Sequence, residues 1–146
     1  MATSKAFLLV EAHIRDGWMR SEFKTNFKKT KAPLRRGGEF EFDAVSEDGA
    51  IVACISANSG RANQGGLAKT KMNKIRSDIL FLLLSEAPTK VMLLVDGDLH
   101  AHAIQEQKRG RLPDEISIRL ATLSDDFQRV LAEAQANASA EMIANV

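Results

Sequence analysis

Between Arg36 and Asn58 the chain reads RGGEFEFDAVSEDGAIVACISAN, and this stretch restricts the fold more than any other. Period-two alternation separates Glu39, Glu41, Asp43 and Val45 from Phe40, Phe42, Ala44 and Ser46, as on a strand whose two faces meet different surroundings. A second alternation sets Val52, Cys54, Ser56 and Asn58 against Ile51, Ala53, Ile55 and Ala57. Between the two, Glu47-Asp48-Gly49 suits a tight turn, Asp-Gly being a strong hairpin signal. Two antiparallel strands are predicted, each with an apolar face and a more polar one behind it.

The flanking chain supplies helices and further strands. Ser4 to Asp16 reads as a helix with Ser4 as its N-cap, Phe7, Val10 and Ile14 on one face, and Gly17 as its stop. Trp18 to Phe23 alternates as a strand would, although Met19, Phe23 and Phe27 also share a helical face. The segment from there to Gly38, with Pro33 and Gly37-Gly38, reads as a loop. A long helix to about Glu86 buries Met72, Ile75, Ile79, Leu82 and Leu83 and is ended by Pro88. Val91 to Val95 is a strand covered on both faces, Asp96-Gly97-Asp98 a turn, Leu99 to Arg109 a short helix closed by Gly110, and Ile116 to Ala121 a last strand. Ser124 caps a C-terminal helix. The expected architecture is α/β: a mixed central sheet flanked by helices on both faces.

With 146 residues, one domain spanning 1–146 is expected, and 45% hydrophobic against 27% charged residues is an ordinary globular balance. The longest apolar run, Ile79 to Leu84, is too short to span a bilayer, and no signal-peptide pattern is read at the N-terminus. A lone cysteine, Cys54, fits a reducing compartment, and a cytoplasmic location is expected. The net charge of +1 argues against binding nucleic acid by bulk electrostatics but leaves room for a local patch. Lys24, Lys28, Lys29, Lys31, Arg35 and Arg36 precede the hairpin with no acid until Glu39. After it, Lys69, Lys71, Lys74 and Arg76 crowd the start of a helix, where the macrodipole disfavours cations; with Arg61 they suggest a bound anion such as a nucleic-acid phosphate. Gly60-x-x-x-x-Gly65 has the context of a P-loop but lacks its Lys-Ser/Thr, so no nucleotide hydrolysis is expected. His100 and His102 diverge on a helix and form no metal pair. Trp18, Phe40 and Phe42 read as core, and Cys54 as a buried thiol.

The order helix, strand, strand with an aspartate, hairpin to a strand of pattern apolar-apolar-X-apolar-X, then helix and strand, resembles the core of the PD-(D/E)XK nuclease superfamily, the restriction-endonuclease-like fold. The likeness spans most of residues 5 to 121 and is densest in GGEFEFDAVSEDGAIVACIS. It implies an αβββαβ core with an added helix-strand-helix. In active members an aspartate on the second core strand and an acid on the third hold a divalent metal, and a lysine two residues later positions the attacking water. Asp43 falls on the aspartate, Cys54 on the second acid and Ser56 on the lysine, while Glu11 falls where many resolvase-like members carry a glutamate.

Two of these positions depart from the pattern. A thiol is a poor ligand for Mg²⁺, and serine carries no positive charge. A metal would then rest on Asp43, Glu41 and Glu11, or on Glu39. Same-face carboxylates on one strand stand about 7 Å apart and need a ligand from across the hairpin. The missing lysine could come from the long helix, where Lys71 and Lys74 share a side and Asp78 lies one turn on from Lys74. The resemblance therefore implies a nuclease-like, nucleic-acid-associated protein with a degenerate site: Asp43, Ser56 and Lys74 at the catalytic positions, Mg²⁺ as the cofactor of an active form, and Arg35, Arg36, Arg61, Lys69 and Lys71 as phosphate contacts. The alternatives are a non-catalytic homo-oligomer, such as a homodimer, and a metal-dependent endonuclease with relocated acids and lysine.

Overall fold

The computed structural model describes residues 2–57 and 69–144. Asn58, the Gly60 to Gly66 segment and Arg61 lie outside the described residues, as does the anion loop expected there. Five strands form one open sheet in the order β1 (Phe27–Pro33), β2 (Glu39–Ser46), β3 (Ile51–Ser56), β4 (Thr89–Leu94) and β5 (Ile116–Leu120). The pairs β1·β2 and β2·β3 are antiparallel, β3·β4 and β4·β5 parallel. The helices are α1 (Ala2–His13), α2 (Arg20–Phe23), α3 (Lys69–Leu84), α4 (Gly97–Lys108) and α5 (Asp125–Ala144), with a π-helical stretch, Ile14–Met19, joining α1 to α2. Among the described residues no helix is long and apolar enough to cross a membrane.

Two apolar layers sandwich the sheet, as the mixed α/β expectation requires. Val52, Cys54, Met92, Leu94, Ile116 and Ile118 pack under α3 and α4 with Met72, Ile75, Ile79, Leu82 and Leu99. On the other face Ala53, Ile55, Val91 and Leu93 meet Val10, Ile14, Met19, Leu123 and Leu131. The central strand β3 is thus buried on both sides, and the more polar face expected behind it is absent.

Four local expectations are corrected. The first helix begins at Ala2, so Ser4 lies within it, and it does not stop at Gly17. The buried residues Val10, Ile14 and Met19 are spaced four and then five apart; an α-helix would turn Met19 off the core face, and the wider π turn restores it. Trp18 to Phe23 is consequently helical, and the helix ends at Lys24 with φ 58°. The first strand is instead Phe27–Pro33, inside the basic segment expected to be loop. Its exposed Lys28, Lys29 and Lys31 occupy a sheet edge, where charge discourages pairing with other chains. Finally, α4 starts at Gly97, because Asp96 Oδ2 accepts the Leu99 N–H at 2.8 Å and caps it.

The β2–β3 hairpin forms as expected. Gly49 takes φ +73°, and Asp48 Oδ1 accepts from both Ser46 Oγ (2.7 Å) and the Ala50 N–H (3.0 Å). The regular alternation along β2 does not persist. Lys28 faces Val45 and Thr30 faces Phe42, so Asp43 and Ala44 together oppose Lys29 alone. This β-bulge returns Val45 to the α3 layer with Phe42, and it bends β2. Beyond the bulge β2 leaves β3, with which it pairs only at Ala44↔Ala53 and Val45↔Val52. The far half of the β1–β2 hairpin folds over α3: Phe40 stacks on Phe81 at 4.0 Å, and the Arg35 N–H bonds the Leu84 carbonyl at 2.7 Å. Phe42 is fully buried at the pivot. Phe42→Ala is expected to cost about 3–5 kcal/mol. Leu80→Ala, at an exposed position, is expected to change stability by less than about 0.5 kcal/mol, both read from urea unfolding.

Candidate functional site

Where β2 departs from β3, a notch opens at the end of the sheet, and the helices on the two opposite faces both reach it. Phe7, Leu8 and Glu11 of α1, Ile55, Ser56 and Ala57 at the end of β3, and Lys74 and Asp78 of α3 line a cleft of about 420 Å³. Asp43 sits at the root of the notch. Its Oδ2 accepts the Ile55 N–H at 2.8 Å, supplying the partner that a continuing β2 ladder would have provided. The bulge turns this carboxylate towards Glu11 of α1, and Arg15 Nη1, in the π-helical stretch, donates to the Asp43 carbonyl at 3.2 Å. Lys29 Nζ lies 3.3 Å from Glu11 Oε2 and 4.0 Å from Asp43 Oδ1.

Charge balance here is set by proton and lysine. The Asp43 carboxyl is pushed up to about 7, first by burial, then by hydrogen bonding with Glu11 and repulsion from it, against the pull of the Ile55 N–H and Lys29. Across the notch Asp78 is nearly buried, and Lys74 Nζ meets its Oδ1 at 2.9 Å. Burial raises the Asp78 carboxyl above its ordinary value despite that lysine, and the hydrogen bond to Asp78 raises the Lys74 ammonium. Each cleft acid therefore already has an ammonium beside it.

The expected site residues separate into two groups. Glu11, Ser56, Lys74 and Asp78 meet in one cleft with Asp43 at its root. Glu41 does not join them: beyond the bulge it is exposed beside Lys31, on the part of the hairpin that folds over α3. Cys54 belongs to the layer under α3, its Sγ 4.0 Å from the Asp78 carbonyl, and burial pushes its thiol far above the usual range. Arg35 and Arg36 lie by Leu84, the C-terminal end of a helix about 24 Å long whose opposite end carries Lys69 and Lys71. The set Asp43, Glu41 and Glu11 is not assembled, and among the described residues no three acids, histidines or cysteines group closely enough to hold a metal ion. The described side chains at the cleft do not fit a divalent metal.

The sequence reading placed Asp78 one turn from Lys74 without assigning it to the site, counted Lys29 only within the basic segment, and did not single out Arg15. The i, i+4 spacing of Lys74 and Asp78 was the available signal for the first; the other two depend on a bulge that leaves none. Compared with known proteins, the chain matches no family model, no curated protein and no solved structure.

Between about pH 4 and pH 7 the folded chain retains the Asp43 proton that the unfolded chain, with the ordinary value of 3.8, has released. Stability from this group is therefore expected to fall as pH rises through that window and to level off above about 7. Asp43→Asn keeps an acceptor for Ile55 and is expected to remove the fall, making the variant more stable than the parent at pH 8 by about 1–2 kcal/mol. Urea unfolding at a series of pH values measures both. Cys54 is expected to react with iodoacetamide only at the rate of global unfolding, followed by mass spectrometry with and without denaturant.

Proposed function

We propose that this chain is a nucleic-acid-associated protein built on a restriction-endonuclease-like frame, whose cleft binds without cutting. The observation that carries the reading is the notch between β2 and β3, entered from opposite faces by Glu11 of α1 and by Lys74 with Asp78 of α3. The strand order supports the same frame, three antiparallel strands followed by a helix and a parallel strand. A lysine on α3 reaching the notch is the kind of substitute that the serine at position 56 calls for. Lys29 and Lys74 supply positive charge on either side of the opening, with Lys69 at the start of α3, and these are the groups assigned to phosphate oxygens.

Binding without hydrolysis follows from the donor set. Hydrolysis of a phosphodiester in this frame needs a metal held by two acids, and here Cys54 offers a buried, protonated thiol while Asp43 holds a proton near neutrality. A second reading, a non-catalytic homo-oligomer, is favoured by Leu80 and Leu84, exposed one turn apart on α3.

The full chain is expected to bind duplex or single-stranded oligonucleotides with affinity that falls steeply with salt, and to leave DNA and RNA, branched substrates included, uncut with Mg²⁺ or Mn²⁺. Lys74→Ala is expected to weaken binding about tenfold, read by fluorescence anisotropy. Metal-dependent cleavage would replace this reading with that of a nuclease with relocated residues. Absence of salt-dependent binding, together with a dimer in light scattering, would replace it with the homo-oligomer.

A further inference from the structure

On the flank of α3 away from the cleft, a buried carboxylate gathers cations from three segments of chain. Glu106 of α4 has a side chain only 6% exposed. Its Oε1 accepts from Arg76 Nη2 of α3 at 3.5 Å and lies 3.6 Å from His102 Nε2, one turn earlier on α4. Its Oε2 faces Arg111 Nη1 at 3.6 Å and has no hydrogen-bond partner among the described residues. Backbone geometry puts Arg111 there. Gly110 takes φ +77°, its N–H bonds the Gln107 carbonyl at 3.1 Å, and the Arg111 N–H bonds the Glu106 carbonyl at 2.9 Å, a Schellman closure that brings the chain back over the last turn of α4. Arg76 is steadied from the other side, its Nη1 3.3 Å from Asn73 Oδ1.

This arrangement is poorly suited to holding helices together. Withdrawing a carboxylate from water is unfavourable, and it is offset well only by short, bidentate contacts; the arginine contacts here are at the limit of a hydrogen bond. One acid also faces two permanent cations, so positive charge remains in excess even with His102 neutral. Both arginine side chains reach solvent, Arg76 44% and Arg111 67% exposed. Lys69 shares the α3 face of Asn73 and Arg76, and Lys108 and Arg109 are exposed at the end of α4. Asp114 and Glu115, next along the chain, pair with neither guanidinium among the described residues. A buried anion anchoring two outward forks is what an external oxyanion requires.

We propose that Arg76 and Arg111 form a clamp for a nucleic-acid phosphate, with Glu106 as its positioning residue. The clamp rests on the nucleic-acid reading above and adds to it a second contact face, across α3 from the cleft. Guanidinium forks match phosphate oxygens two at a time, which ammonium groups do not.

Anisotropy titrations of the full chain with a duplex and a single-stranded oligonucleotide, at several salt concentrations, test this. Arg76→Ala and Arg111→Ala are each expected to weaken binding about tenfold and to lower the salt slope by about one, the double variant by about two. The lysine variants are expected to keep the slope and lose affinity. Glu106→Gln separates positioning from simple charge: deleting an anion near phosphate should tighten binding, whereas loss of the positioning group is expected to weaken it severalfold in a chain that still unfolds cooperatively. Parental affinity and slope in the arginine double variant, alongside weakened binding by Lys74→Ala, would overturn the clamp and leave the cleft reading standing. Tighter binding by Glu106→Gln would overturn the positioning role. A parent chain that binds neither oligonucleotide would remove both proposals before any variant is compared.

Discussion

One hydrogen bond, from the Ile55 N–H to Asp43 Oδ2, lets the sheet divide. A strand that leaves its partner strands backbone groups that were paired, and a buried unpaired N–H is costly. The bulge at Asp43 and Ala44 turns the carboxylate towards the vacated position, so one residue both bends β2 and satisfies β3. That division produces the notch, the fold of the β1–β2 hairpin over α3, and the meeting of two helices that otherwise lie on opposite faces of the sheet. Phe42 and the stacked Phe40 and Phe81 hold the departing hairpin in place.

The same carboxylate sets the electrostatic character of the cleft. Three acids approach a partly buried opening, and their mutual repulsion is relieved by a retained proton on Asp43 and by ammonium groups from Lys29 and Lys74. In a metal-dependent site the cation would serve that purpose. Here lysines serve it, so the cleft is close to neutral and offers ammonium groups outward. Across α3, Glu106 works in the opposite sense, a single buried anion among surplus cations. The helix thus separates two charged clusters whose balance is arranged differently, and both leave positive groups at the surface of a chain whose net charge is only +1.

Much of the architecture was legible because it rests on local chemistry. The Asp48-Gly49 turn, the buried stripe of α3, the continuous apolar run of β4 and the glycine at the end of α4 each carry their own signal, and each element formed where that signal stood. Errors fell where two periodicities competed. Trp18 to Phe23 satisfied both a strand and a helix, and the π turn that decides between them is a response to packing of Ile14 and Met19, not a local preference. The lysines of β1 read as loop because an edge strand shielded by charge lacks the apolar pattern by which strands are recognised.

For the candidate site, the sequence alone marked residues by their chemistry, Glu11, Asp43 and Lys74 among them. Only the tertiary structure decided which of them meet. Alternation along β2 put Glu41 and Val45 on the face of Asp43; the bulge turns Val45 to the opposite face, while Glu41 is carried off by the change in the strand's direction. The same change of direction took Arg35 and Arg36 to the far end of α3, while Lys29 and Arg15 lie at the bulge. A bulge arises from the pairing of two strands, and pairing is a property of the fold that no single stretch of sequence carries.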